Sequence, residues 1–152
     1  MATFGTFVDS TTLKATELNG LLDLVLFEPV VRQSSVIATT SENGYYWQVN
    51  KLVCVSYRFS ISGTGTAGQP ILVDLPVTAA SNSVRIVGTG IFEDDSAANM
   101  RLLRVVQYST TRAAFLTGEA TNITAYFGAT NGPNTALASG DNLNFTIMYE
   151  AA

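Results

Sequence analysis

The chain has 152 residues, a usual size for one domain, with 47% hydrophobic and only 13% charged residues. This composition excludes an intrinsically disordered protein, because such proteins are poor in apolar side chains and rich in charge. The net charge of −4 and the presence of only two lysines, Lys14 and Lys51, argue against a nucleic-acid partner, because no basic stripe is available to neutralise phosphates.

The amino-terminal part of the chain differs from the rest. Leu13 and Glu17 lie one helical turn apart, and Asn19-Gly20 follows as a stop signal, so we predict one short helix here. Residues 21–27 are densely apolar, and their pattern leaves helix continuation and strand both open. They are too short to span a bilayer, and the chain start has no signal-peptide pattern, so we expect no membrane partner and no export by the usual route.

From about Val30 onward the hydrophobic period is two. In residues 53–62, for example, Val53, Val55 and Tyr57 point to one face of a predicted strand. The other predicted strands are residues 33–39, 45–49, 71–75, 83–91, 100–108, 113–116, 122–127 and 143–150. No helical crossovers separate them, so we predict an all-β fold, an antiparallel β-sandwich or jelly-roll.

We divide the chain into an N-terminal docking segment with the short helix, residues 1–29, and a β-sandwich domain, residues 30–152. Clusters of turn-forming residues separate the strands, among them residues 42–44, 63–68 and 131–134. Residues 63–68 also match the dinucleotide-binding pattern G-x-G-x-x-G. Because Pro70 and a strand pattern follow where that motif needs a helix, we interpret this segment as a loop.

Two further groups of residues are candidates for a binding site. The acids at residues 93–95, with Asp141, lack the alternating spacing of a calcium loop, so we interpret them as solvated loop residues and expect no metal. Tyr45 and Trp47 share a face with Val49. This pattern favours a core position over an exposed platform for sugar.

The sequence offers few candidate catalytic residues. There is no histidine, which removes the Ser-His-Asp and Cys-His arrangements and the commonest general base. The single cysteine, Cys54, lies between Val53 and Val55 in a strand pattern and is interpreted as a buried, unreactive thiol. We therefore expect a protein that is not an enzyme and that has no catalytic residues and no cofactor.

Three segments together resemble bacteriophage virion surface proteins. Residues 7–19 are similar to the opening F-x-x-G-x-x-L-T-A-A-x-L-N of phage minor tail and fibre-like proteins, departing from it at Ser10, Lys14 and Thr16. Residues 44–53 look like G-x-Y-x-x-V-G-N-L-V of the β-domain that follows such starts. Residues 139–150 resemble its closing strand, G-D-x-L-x-F-x-x-x-Y-E.

The resemblance implies a homotrimer in which a short amino-terminal segment docks on the virion while the β-domain faces solvent. The predicted docking or oligomer contacts are apolar residues of the first segment. They are Phe7, Leu13, Leu18, Leu21, Leu22, Leu24, Leu26 and Phe27. A strip this apolar exceeds what one small sandwich can bury, which also argues for a neighbouring subunit.

We expect a structural protein of the virion, assembled in the host cytoplasm and placed on the outer surface of the capsid or tail. The shortness of residues 1–29 leaves no room for a fibre shaft, which favours a trimeric capsid decoration (cement) protein bound to the major capsid protein. The alternative is a compact tail-fibre or receptor-binding protein, bound to tail proteins, that recognises host surface glycan through loops such as residues 63–68 or 131–134.

Overall fold

The computed structural model describes residues 23–81, 86–117 and 125–152. Within these ranges the chain forms ten strands and no helix. The strands are β1 Val25–Phe27, β2 Val31–Gln33, β3 Ser35–Ile37, β4 Thr39–Val49, β5 Leu52–Ile61, β6 Leu72–Asp74, β7 Ile86–Asp94, β8 Asn99–Gln107, β9 Arg112–Thr117 and β10 Asn142–Glu150. The all-β prediction is confirmed for the described residues, whereas the helix predicted near Leu13 lies outside them.

All ten strands belong to one antiparallel sheet in the order β1-β4-β5-β10-β7-β8-β9-β6-β2-β3. The last strand in this order, β3, is separated in sequence from β4 by Ala38 alone. Since two residues of chain span at most about 7 Å, the Cα atoms of Ile37 and Thr39 are close, and the two ends of the sheet must lie near each other. The sheet is therefore curled, and the finer description as a sandwich or jelly-roll stays a prediction.

The main core lies on the inner face of the curl, and a smaller buried cluster of Leu72, Val106, Ala114 and Leu116 lies on the outer face. The side chains predicted to share one face of β5 are all buried there, from Val53 to Ile61. Tyr57 stacks on Phe145 of β10 with ring centroids 4.3 Å apart, and Phe115 of β9 meets the same ring at 4.9 Å. Because β7 and β8 separate β10 from β9 in the sheet, this contact closes the core across the curl.

The turns differ from the prediction in two places. Residues 42–44 are not a turn but lie inside β4, where a register shift between Thr40 and Asn43 marks a bulge. The hairpin between β4 and β5 turns instead at Asn50-Lys51, and Asn50 adopts a left-handed φ of 59° that asparagine tolerates better than most residues. The strand predicted at residues 33–39 is likewise divided, since Ser34 has a φ of 72° and separates β2 from β3.

Gln33 is a buried polar centre that ties two long loops to β2. Its side chain is fully buried, and its Nε2 donates to the carbonyl oxygens of Gln69 at 3.1 Å and Thr135 at 2.7 Å. Its Oε1 accepts the backbone N–H of Leu137 at 2.9 Å. Backbone groups that no strand partner reaches are thereby satisfied inside the protein.

We expect Gln33→Met to destabilise the fold, because methionine has a similar length but leaves three buried backbone groups without a partner. The expected loss in the free energy of unfolding is about 2–4 kcal/mol. Urea denaturation followed by tryptophan fluorescence measures it. Gln48→Met is the control, because Gln48 is exposed, and its effect should stay within about 0.5 kcal/mol. Equal stability of the two variants would show that Gln33 does not organise the loops.

Candidate functional site

The outer face of the sheet, opposite the core, carries two adjoining surfaces that could bind a partner. The first spans β1, β4, β5 and β10, where the register aligns Trp47 with Cys54 and Cys54 with Met148. We call this surface the apolar strip. Its residues are Leu24, Leu26, Tyr45, Trp47, Val49, Leu52, Cys54 and Met148.

The apolar strip is largely open to solvent. Leu24 and Leu26 are each 65% exposed and Met148 is 58% exposed. Cys54 is the buried floor of the strip, and its burial raises the pKa of the thiol, which disfavours the reactive thiolate. Apolar side chains in one contiguous exposed surface are typical of an interface with another protein.

The orientation of the aromatic residues in β4 is opposite to the prediction. Tyr45 is exposed and Trp47 half-buried on the outer face, while Tyr46 between them packs against Phe27 of β1 with ring centroids 5.7 Å apart. The reason is register: Tyr46 pairs with the buried Val55 and so shares its inner face. A one-residue difference in register exchanges the two faces of a strand, and alternation alone does not tell which face is inner.

The predicted docking residues fall into three groups. Leu24 and Leu26 lie in the apolar strip, whereas Phe27 turns inward and meets the ring of Tyr57 at 5.1 Å. Five others lie outside the described residues: Phe7, Leu13, Leu18, Leu21 and Leu22. The contribution of β5 and β10 to the strip was missed from the sequence, although the apolar residues Leu52, Cys54 and Met148 on the second face of these strands were a signal for it.

The second surface is a groove of about 690 Å³ across β5, β10, β7 and β8. Two arginines, Arg58 of β5 and Arg104 of β8, line it from its two sides. Between them the outer side chains form two cross-strand rows. One row is Ser56, Thr146, Thr89 and Arg104, and the other is Arg58, Asn144, Ile91 and Leu102.

Glycine at two positions of β7 brings this strand close to β10 beneath the groove. A Cβ at Gly90 would lie 2.5 Å from the Cβ of Phe145 and 2.6 Å from the carbonyl oxygen of Asn144. A Cβ at Gly88 would overlap the carbonyl oxygen of Thr146. No side chain fits at either position, so β7 requires glycine where it runs beside β10.

Residues 63–68, which match the dinucleotide pattern, form a loop that is followed by β6, as predicted. The N–H of Gly65 donates to the carbonyl oxygen of Leu137 at 2.7 Å, and that of Gly68 donates to Gly128 at 2.9 Å. Thr130 in turn donates to the carbonyl oxygen of Gly68 at 3.3 Å. The backbone donors of these two glycines are thus used within the protein rather than offered to a phosphate.

The acidic residues meet at one end of the sheet. Asp141 is buried and accepts the backbone N–H of Asp95 at 3.2 Å and that of Ala138 at 2.8 Å. Burial raises the pKa of Asp141, the two backbone hydrogen bonds lower it, and the nearby charges of Asp94 and Asp95 raise it further. Among the residues that the structure covers, no three potential ligands come together as a metal site.

Comparison with known proteins found no matching family model, no matching curated protein and no matching solved structure. No helix capable of crossing a membrane is found in the described ranges. What the two surfaces of the outer face bind therefore has to be inferred from the side chains that form them.

The raised pKa of Asp141 predicts a specific dependence on pH. A carboxyl whose folded pKa lies above its ordinary value of 3.8 binds its proton more tightly when folded, so its contribution to stability falls as pH rises through the folded pKa. Asp141→Asn does not titrate, so the advantage of the natural chain over the variant should be larger at pH 3.5 than at about pH 7. Urea denaturation of both proteins across this range tests the sign; an advantage that grows with pH would contradict it.

Proposed function

We propose that this protein is a non-enzymatic structural protein of a bacteriophage virion, a homotrimeric decoration (cement) protein on the outer surface of the capsid. The apolar strip is the observation that carries the proposal, and the resemblance of three sequence segments to phage virion proteins supports it. In this proposal residues 30–152 form a jelly-roll-like domain. Residues 1–29 form the docking segment with a short helix that binds the major capsid protein after assembly in the host cytoplasm, and the last part of this segment, β1, joins the sheet of the domain.

The position of the apolar strip favours a second copy of the chain as its occupant. The strip begins at Leu24, where the first described residues join the segment proposed to dock on the capsid. It ends at the β4–β5 hairpin, where Lys51 and Glu150 are exposed and charged. An apolar centre with a charged rim is the usual composition of an interface between subunits. In a trimer joined through this strip, the three docking segments would lie on the same side of the trimer.

Copy number tests the decoration role directly. A decoration protein covers a capsid lattice, so we expect hundreds of copies per particle, whereas a tail-tip protein is present in a handful. Quantitative mass spectrometry of purified particles, with the major capsid protein as the internal reference, measures this ratio. A count of a handful would overturn the capsid proposal and leave a tail position.

Met148→Lys tests whether the apolar strip is the subunit interface. We expect the natural chain to be a trimer at micromolar concentration and the variant to dissociate, because a lysine charge would be desolvated at the interface. Sedimentation equilibrium measures the mass. Met148 is 58% exposed in the single chain, so the fold should tolerate the change.

Met100→Lys is the matched control. Met100 has a similar exposure, 62%, but lies at the start of β8, away from the apolar strip. This variant should remain a trimer. Two trimeric variants would place the interface elsewhere, and a monomeric natural chain would contradict the homotrimer in the absence of the capsid.

A compact tail-fibre or receptor-binding protein is the second candidate function. The observation that favours it is the groove between Arg58 and Arg104, because its volume lies within the range of small-ligand sites. A host surface glycan would be the ligand under this alternative. The low copy number described above would support it over the decoration role.

A further inference from the structure

We propose that the groove across β5, β10, β7 and β8 binds a carboxylate-bearing saccharide. This inference deepens the second candidate function and does not depend on the trimer or on the capsid. The charges of the groove, its polar and apolar side chains, and the position of its strands inside the sheet support this ligand.

The charge of the groove selects an anionic ligand. Among the described residues, its lining includes Arg58 and Arg104 and no acidic side chain, in a chain whose net charge is −4. The two arginines stand on strands three positions apart in the sheet, a separation of about 14 Å between strand axes. Arg104 is tied to the end of β9, because its Nη2 donates to the carbonyl oxygen of Thr117 at 3.3 Å.

Glu93 is an acid of the same face that lies outside the groove lining, and it pairs with Asn142 and Met100 in the next cross-strand row. Arg58 is exposed, and none of the described side chains in its own row is acidic, so its guanidinium can form two parallel hydrogen bonds with one carboxylate.

The side chains between the arginines suit a sugar ring. Ser56, Thr146 and Thr89 place three hydroxyl groups in one row, and Asn144 adds an amide in the next. These groups donate and accept hydrogen bonds as sugar hydroxyls do. Apolar contact for the C–H face of a ring comes from Ile91 and Leu102, of which Leu102 is 72% exposed.

Tyr45, the residue of the apolar strip that borders the groove, extends the site at its other end. It pairs with Ser56 and is therefore in line with the hydroxyl row, and its ring is exposed. The electron-rich face of an aromatic ring attracts the slightly positive C–H groups of a pyranose. A short oligosaccharide lying across the strands could thus reach from Tyr45 to Arg104.

An extended acidic peptide is a poorer fit for this groove. Peptides commonly bind a sheet by adding a strand to a free edge. β10 and β7, the two middle strands of the groove, are paired on both sides from Asn142 to Ile147 and from Gly88 to Glu93, so an added strand finds no free edge there. The groove is also a better site than the loops at residues 63–68 and 131–134, whose neighbouring backbone groups are bonded to each other and to the core loops.

Binding of trigalacturonic acid to the full chain tests the proposal, with its methyl ester as a ligand of the same shape but without charge. Isothermal titration calorimetry should show binding of the acid, weakened by added salt, and at least tenfold weaker binding of the ester. Arg58→Gln should weaken binding of the acid about tenfold, since one charged hydrogen-bond pair is lost.

Arg101→Gln is the control of equal charge change. Arg101 is exposed on the same strand as Arg104 but does not line the groove, so this variant should bind the acid as the natural chain does. The proposal is overturned if the acid does not bind at millimolar concentration, if acid and ester bind equally, or if both variants weaken binding alike. Tighter binding of tetraglutamate than of the acid would assign the groove to an acidic peptide. None of these results bears on the trimer, whose test is the mass of the Met148→Lys variant.

Discussion

The single residue between β3 and β4 is the constraint on which the rest of this structure depends. β3 is the last strand at one end of the ten-stranded sheet, and β4 is the second strand at the other end, yet only Ala38 separates them in the chain. An open, gently twisted sheet of ten strands would hold these ends tens of ångströms apart. The connection is possible only because the sheet curls round.

The curl creates the core. It brings the hydroxyl of Tyr57 on β5 within 2.7 Å of the carbonyl oxygen of Asp74 at the end of β6, to which it donates a hydrogen bond, although four other strands separate these two in the sheet order. Tyr149 makes a similar connection from β10, donating to the carbonyl oxygen of Val77 at 2.8 Å. Burial raises the pKa of Tyr149 to about 12, so this hydroxyl stays protonated and able to donate at any physiological pH.

Because the main core lies inside the curl, side chains of the apolar strip and the groove on the outer face stay accessible to a partner. At one end of that face the side chains are apolar, and at the other they are hydroxyls, an amide and two arginines. The two surfaces share the strands β5 and β10, so one sheet presents the proposed subunit interface and the proposed ligand groove side by side. A rigid sheet holds such surfaces more accurately than mobile loops do.

Much of the strand content was predictable because hydrophobic alternation reports local geometry. β5 and β10 were located within a residue or two from alternation alone, and the inner residues of β5 were correct. The sequence was misleading at residues 42–44, where turn-forming residues occupy a bulge inside β4. It also missed the Asn50-Lys51 hairpin, because Asn50 is followed by lysine and not by the glycine that marks the usual two-residue hairpin turn.

The candidate site was far less predictable than the strands. The exposed Leu24 and Leu26 were predicted as contact residues from the density of apolar side chains, whereas the groove was not predicted, since Arg58 and Arg104 are 46 positions apart along the printed sequence. They line one groove only because β10 and β7 are inserted between β5 and β8. Pairing between distant strands is a property of the whole sheet, and no local pattern records it.

The sequence by itself determined that this chain is an all-β protein and that it contains no histidine, the commonest general base of enzymes, because composition and alternation are local properties. Only the tertiary structure decided which face of β4 is buried, at which positions of β7 only glycine fits, and which polar side chains line one groove. The physical reason is that burial depends on what packs against a strand, and the partners of these strands come from remote parts of the chain.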